Sequence, residues 1–261
     1  MNKDFITKYK VAHRGGFYDN ITMAEQCLKV FELAANKGYA LEMDTQFIKD
    51  GNIAIFHHPT LDSQRLIGKE LNIRELSTEQ LKDVKLITGE TIPTLSEVLK
   101  LINGKVPLLI EIKTDRKATK KQCELIVSMM KEYKGDFAIQ SFDFRVLKWF
   151  KQNAPEVIRG LLVSVWSKRS TQAIYRPKTA LIRYVTRNMW FAKSVKPNFI
   201  SYEADFLPNK KMQKKFPGVP VLGWIISNET QFKKAAPYVN NIIFEHFTPD
   251  PKVQMGEKTK L

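Results

Sequence analysis

Long apolar runs are missing from this chain. Its hydrophobic stretches fall far short of the roughly 20 residues that a membrane-crossing helix needs, so none is expected to span a bilayer. Cysteine is nearly absent as well. Cys27 and Cys123 stand alone without metal-ligand spacing, which argues against a zinc site or a disulfide framework and reads as two small buried hydrophobes. No internal repeat or low-complexity tract is visible. The polar segment Met1 to Lys10 leads straight into a strand and leaves no room for the apolar region of a signal peptide, so a cytoplasmic location is expected.

Negative charge is the scarcer sign. Lys and Arg number 42 against 27 Asp and Glu, for a formal charge of +15. No acidic residue lies between Glu156 and Glu203, whereas Arg159, Lys168, Arg169, Arg176, Lys178, Arg183, Arg187, Lys193 and Lys196 do. A field of that sign concentrates anionic ligands, including phosphodiesters, anionic polymers and anionic membrane surfaces. Nucleic acid is disfavoured, because no helix-turn-helix, zinc-finger or RNA-binding aromatic signature accompanies the charge. Trp166, Trp190 and Phe191 in this window are candidate interfacial anchors for a peripheral membrane contact, although ordinary packing is the better account of isolated aromatics.

What is present is alternation. Short β-branched apolar runs at Lys10 to His13, Ala40 to Phe47, Pro107 to Lys113, Phe137 to Ser141, Arg159 to Val165, Asn198 to Glu203, Val219 to Ile225 and Asn241 to Glu245 are separated by segments of helical period. That βαβα rhythm predicts a parallel sheet, and eight strands in 261 residues predict a TIM-type (βα)8 barrel in the α/β class, which typically needs about 250 residues. We expect one barrel domain over 1–248 and a flexible tail over 249–261. A further strand, Asn52 to His57, follows the Asp50-Gly51 reversal and extends strand two as a hairpin.

Glu25 to Lys37 reads as an outer helix ending at Gly38. Ser77-Thr78-Glu79-Gln80 and Thr94-Leu95-Ser96-Glu97 read as capping boxes, in which a hydroxyl and a returning Glu or Gln satisfy the first amides of a helix. Residues 60–106 therefore form an excursion inserted after strand two and near the barrel mouth, where such loops shape a site.

The ionisable residues gather at strand ends. His13 and Arg14 close the first strand, Glu42 and Asp44 lie two apart on the second, His57 follows the hairpin, and Glu111 and Lys113 lie two apart on the third. A spacing of two puts both members of a pair on one side of a strand. Two adjacent carboxylates repel unless a cation separates them, and an all-oxygen set of Glu42, Asp44 and Glu111 suits Mg²⁺ or Ca²⁺. Lys113 is placed to neutralise a phosphate beside that cation, and Arg14 offers a fork matched to phosphate oxygens. His13 and His57 are candidates for general acid and base. Taken singly, each pair is most often a solvated strand end; convergence at three strand ends is what carries the reading. Ser141, Trp224 and Glu245 are secondary candidates at other strand ends. His58 is expected to face away from His57 on a regular strand.

These residues resemble the glycerophosphodiester phosphodiesterase family in its bacterial form. The resemblance runs from Val11-Ala12-His13-Arg14-Gly15-Gly16 through Leu41-Glu42-Met43-Asp44, Phe56-His57, Leu109-Ile110-Glu111-Ile112-Lys113 and Gln140-Ser141-Phe142-Asp143 to Ile243-Phe244-Glu245. It implies a metal held by Glu42, Asp44 and Glu111, an acid and base pair in His13 and His57, and phosphate binding by Arg14 and Lys113. The implied chemistry is hydrolysis of a glycerophosphodiester, or a lysophospholipid-like diester, to glycerol phosphate and an alcohol. In it, a glycerol hydroxyl attacks phosphorus and water then opens the cyclic phosphate. Three positions depart from the family pattern: Ala24-Glu25-Gln26-Cys27 replaces Pro-Glu-Asn-Thr, His57-His58 replaces His-Asp, and Trp224-Ile225-Ile226 replaces Trp-Thr-Val. These bear on efficiency and substrate choice more than on fold. The alternative is a barrel of low or no activity that binds an anionic lipid or polymer through its basic 157–202 region.

Overall fold

The computed structural model describes residues 4–61, 71–114, 118–164 and 192–251. Eight parallel strands close into a barrel: β1 Val11–Ala12, β2 Ala40–Phe47, β3 Leu108–Lys113, β4 Phe137–Ser141, β5 Ile158–Val163, β6 Phe199–Glu203, β7 Val221–Ile226 and β8 Asn241–Phe244. Closure is made by the shortest strand, since β1 pairs in parallel with both β2 and β8. The antiparallel strand Ile53–Ile55 returns along the upper half of β2, with Gly51 at φ 83° in the reversal.

Alternation along each strand divides two cores. Val11, Ala40, Leu109, Ala138, Ile158, Phe199, Leu222 and Ile243 fill the interior, and Phe5 and Ile6 of the helix Phe5–Lys8 belong to the same cluster. Asn241 fastens that segment by donating its Nδ2 to the carbonyls of Ile6 at 2.7 Å and Tyr9 at 2.6 Å. Size is complementary inside: a Cβ on Gly160 would lie 2.1 Å from the Phe199 ring, so glycine on β5 makes room for the phenylalanine of β6. The opposite faces of the strands pack against the helices through residues such as Met43, Ile110, Ile139 and Phe244.

The outer helix after β1 spans Leu28–Asn36, three residues shorter at its start than the sequence pattern implies. Gln26 is in the left-handed region at φ 60° and cannot begin the helix; Cys27 caps it instead, its sulfur accepting from the Val30 amide. Both capping boxes form, at Ser77/Gln80 and at Thr94/Glu97. Within the 60–106 excursion, the final helix Leu95–Ile102 packs on Leu28–Asn36 and contributes Leu95, Val98 and Ile102 to the outer core, so it lies in the ring of barrel helices.

Val165, most of the basic window and its aromatic residues Trp166, Trp190 and Phe191 lie outside the described residues, as do 252–261 of the tail. At the start of that tail, Tyr39 donates its hydroxyl to the Pro249 carbonyl at 2.5 Å. Among the described residues, no helix is long and apolar enough to cross a membrane.

Candidate active site

Immediately after β1 the backbone turns through three left-handed residues, Arg14 at φ 51°, Gly15 at φ 93° and Gly16 at φ 73°. A Cβ on Gly15 would meet Val30 at 2.5 Å, so the turn sits too close to the first outer helix for any side chain there. A non-glycine residue in this region is strained, and its surroundings hold it. The Arg14 amide donates to Glu42 Oε2 at 3.1 Å, and the Arg14 carbonyl accepts from the Gln26 amide at 3.0 Å. The guanidinium donates to Glu25 Oε2 at 2.8 Å and lies with Nε 3.1 Å from Asp44 Oδ2.

Glu42, Asp44 and Glu111 are buried within β2 and β3, short of the strand ends, and the two strands pair with Asp44 opposite Glu111. Each offers an oxygen within 4.8 Å of the others. Burial, followed by the charges of Asp44 and Glu111, raises Glu42 well above the ordinary carboxylate range. Burial pushes Glu111 up to about 7, against the pull of Lys113. Asp44 goes the other way: burial opposes its charge, but Lys113 and Arg14 outweigh burial and hold it well below the ordinary range. Lys113 reaches in from the end of β3, ion-paired with Glu111 and 3.0 Å from Asp44 Oδ1. Three buried carboxylates, two of them raised above the ordinary range despite Lys113 and Arg14, fit a hard divalent cation in number, donor type and electrostatics.

The two histidines stand on this cluster in different settings. His13 Nδ1 is 2.6 Å from Glu245 Oε2, which leaves Nε2 as the ring nitrogen clear of that contact. Burial lowers the His13 pKa, and the bond to Glu245 opposes that. Among the described residues, the buried Nδ1 of His57 has no hydrogen-bond partner. Burial lowers it to about 2, with Asp44 opposing and Arg14 and Lys113 adding. Its carbonyl is held instead, accepting from Gln46 Nε2 at 2.9 Å. His58 does not face away: the hairpin strand ends at Ile55, the alternation ends with it, and the two imidazoles meet nearly perpendicular with centroids 4.0 Å apart.

His13, Arg14, Glu42, Asp44, His57, Glu111 and Lys113 thus come together at the mouth. Of the secondary candidates, Glu245 joins them through His13. Ser141 is tied to backbone, donating to the Ile112 carbonyl at 2.8 Å and accepting from the Asp143 amide at 3.1 Å. Trp224 packs edge-on against Phe142, 5.8 Å between centroids, and Lys113 Nζ lies 5.9 Å from that Phe142 ring. Sequence reasoning did not single out Tyr18, Glu25 or Gln26 as parts of the site. Glu25 and Gln26 carry a signal, as the retained acid and the departing residue of the Ala24-Glu25-Gln26-Cys27 run; Tyr18 carries none.

A (βα)8 barrel whose mouth carries two cationic side chains, two histidines and a buried cluster of three carboxylates that could hold a cation has the make-up of an α/β-barrel hydrolase. Residues 13–247 match the glycerophosphoryl diester phosphodiesterase family, and this chain belongs to that family of phosphoric diester hydrolases. A glycerophosphodiester phosphodiesterase of Caldanaerobacter subterraneus subsp. tengcongensis is 32% identical over 163 residues, a stretch that covers 58% of this chain and 65%, just under two thirds, of that protein. The bovine glycerophosphodiester phosphodiesterase 1 is 23% identical over 92% of this chain and 80% of its own. The fold matches that of an Oleispira antarctica phosphodiesterase, solved in complex with sn-glycerol-3-phosphate, with a TM-score of 0.72, 22% identity and 93% of each chain covered.

Proposed function

We propose that this protein hydrolyses glycerophosphodiesters to glycerol phosphate and an alcohol, and accepts lysophospholipid-like diesters, with a divalent cation held by Glu42, Asp44 and Glu111. The observation that carries the proposal is the convergence of these three buried carboxylates within 4.8 Å of one another, flanked by Arg14 and Lys113. When bound, the cation supplies a Lewis acid for the phosphoryl charge, and an oxygen-only donor set favours Mg²⁺ or Ca²⁺.

The remaining work falls to the side chains. Arg14 and Lys113, both permanently charged here, orient the phosphoryl oxygens and offset their charge. In the first step a glycerol hydroxyl attacks phosphorus, one histidine takes its proton, and the other protonates the departing alkoxide. Water then opens the cyclic phosphate with the two roles reversed, so that each imidazole returns to its starting state. His13 and His57 are the pair. An apolar flank made by Trp224 and the half-exposed Phe142, whose ring lies 5.9 Å from Lys113 Nζ, supports substrates with an apolar portion.

The test is release of glycerol phosphate from a panel of glycerophosphodiesters and lysophospholipids by purified protein, with Mg²⁺, with Ca²⁺ and with chelator. Chelator-sensitive release that is lost in His13→Ala, His57→Ala and Glu42→Ala is expected. Silence across the panel from folded protein, or full activity in all three variants, would overturn the proposal. Salt-sensitive binding to anionic vesicles in that silent protein would instead favour a binding role.

A further inference from the structure

One buried phenol is left unused by the chemistry above. Tyr18 lies in the loop that follows the glycine turn, is 6% exposed, and directs its hydroxyl 2.5 Å from Glu245 Oε2. That is the same oxygen that faces His13 Nδ1 at 2.6 Å. The other carboxylate oxygen, Oε1, lies 3.6 Å from His246 Nε2, and the His246 ring packs edge-on against Tyr18 with centroids 4.9 Å apart. Glu245 therefore stands between two imidazoles, one at the reaction centre and one half-exposed at the rim. Its carboxylate turns about a broad terminal torsion, so a single contact to His13 leaves its orientation weakly fixed.

We propose that Tyr18 is a positioning residue that locks Glu245 onto His13 and keeps it from swinging to His246. The proposal rests on the hydrolase reading above. With the phenol donating to Oε2, the carboxylate plane is fixed by two donors on one oxygen, and His13 is held with Nδ1 toward Glu245 and Nε2 toward the reaction centre. Burial, then the Glu245 charge, raises the Tyr18 pKa, so the hydroxyl stays a donor across the working pH range. The link also joins the loop after β1 to the chain just beyond β8, the two ends of the barrel seam. Among the described residues the Tyr18 hydroxyl bonds Glu245 and none of the three clustered carboxylates, so its effect is on His13 and not on cation binding.

The experiment compares the unaltered protein with Tyr18→Phe and with Tyr18→Phe/His246→Gln. Phe keeps the ring and its packing. Removing the hydroxyl is expected to lower kcat about tenfold, a fraction of the hundredfold or more that general acid–base catalysis contributes, with KM changed less than about twofold. Magnesium affinity is expected to stay unchanged, and the double variant should recover part of the lost kcat because the competing imidazole is gone. The downfield proton resonance of His13 Nδ1–H in ¹⁵N-histidine-labelled protein, assigned by its loss in His13→Gln, should shift or broaden in Tyr18→Phe. That resonance needs no turnover, so it decides the proposal even where wild-type protein hydrolyses nothing and the hydrolase reading fails. An unchanged kcat with an unchanged resonance overturns the proposal, as does a loss shared equally by KM and magnesium affinity. If Tyr18→Phe does not fold, Glu245→Asp, which withdraws the carboxylate by one methylene, must move the same resonance or the proposal falls.

Discussion

Gln26 grips Asp44 at two points: its Nε2 donates to Asp44 Oδ2 at 3.0 Å while its Oε1 accepts the Asp44 backbone amide at 2.7 Å. Both residues are buried, and Gln26 holds this pose from a left-handed backbone conformation. A side chain that departs from the family pattern thereby orients a carboxylate of the proposed cation site. Gln26→Ala leaves a buried amide and a carboxylate oxygen without this partner, a loss of about 1–3 kcal/mol. Supporting groups of this kind are worth roughly tenfold or more in metal affinity. We expect Gln26→Ala to melt several degrees lower and to bind Mg²⁺ at least about tenfold more weakly by calorimetry; wild-type affinity would show that Asp44 needs no such support.

Cation binding should tighten as pH rises. Glu111, pushed up to about 7, and Glu42, raised well above its ordinary range, must shed protons to act as ligands. In the cation-free protein a raised carboxylate contributes stability that is present below its unfolded value near 4.5 and is lost as pH rises through about 7. A bound cation restores what is lost there. The rise in melting temperature caused by saturating Mg²⁺ or Ca²⁺ is therefore expected to be larger at pH 8 than at pH 6, and titration at pH 6 should release protons into a weak buffer.

Glu245 titrates with the opposite sign. Burial works against its charge, but the bond and charge of His13, the Tyr18 hydroxyl and His246 together outweigh burial and hold it at about 2. The stability it contributes is present above its unfolded value near 4.5 and is lost as pH falls toward 2. His57, lowered to about 2, acts in the same direction from about pH 6.5 downward, because the unfolded chain binds a proton that the folded chain refuses. Denaturant unfolding of Glu245→Gln at pH 3 and pH 6 should show a smaller difference between the two than wild-type protein does. Its kcat should fall roughly a hundredfold, since His13 loses the charge that supports its protonated form.

Gly160 is a packing position with no polar role. An added methyl would lie 2.1 Å from the Phe199 ring, and overpacking of this kind costs about 1–3 kcal/mol. Gly160→Ala is expected to lower the melting temperature by several degrees while leaving Mg²⁺ affinity intact, and Phe199→Leu in the same chain should return part of the loss.

The strands were legible because buried parallel strands are short apolar runs that end in polar residues. Ala40–Phe47 and Phe137–Ser141 fall where the sequence puts them, and the others agree within two residues at each end. The spacing of two in Glu42/Asp44 and Glu111/Lys113 fixes a shared side before any folding, since successive side chains on a strand alternate. The outer helix starts three residues later than the sequence implies: its apolar period begins only at Leu28, and Gln26 sits in the left-handed region while bonded to Asp44. His58 defeated the alternation rule because the rule lapses where the strand does.

The sequence by itself therefore determined the architecture and the set of charged residues at the mouth, since both follow from local periodicity repeated along the chain. Which side chains serve one another was decided only in three dimensions. Glu245 meets His13 across 232 positions, Tyr18 meets Glu245 across 227, and Gln26 meets Asp44 across 18. Those separations are set by the closing of β1 onto β8 and β2, and no local pattern encodes a contact that exists only once the barrel has closed.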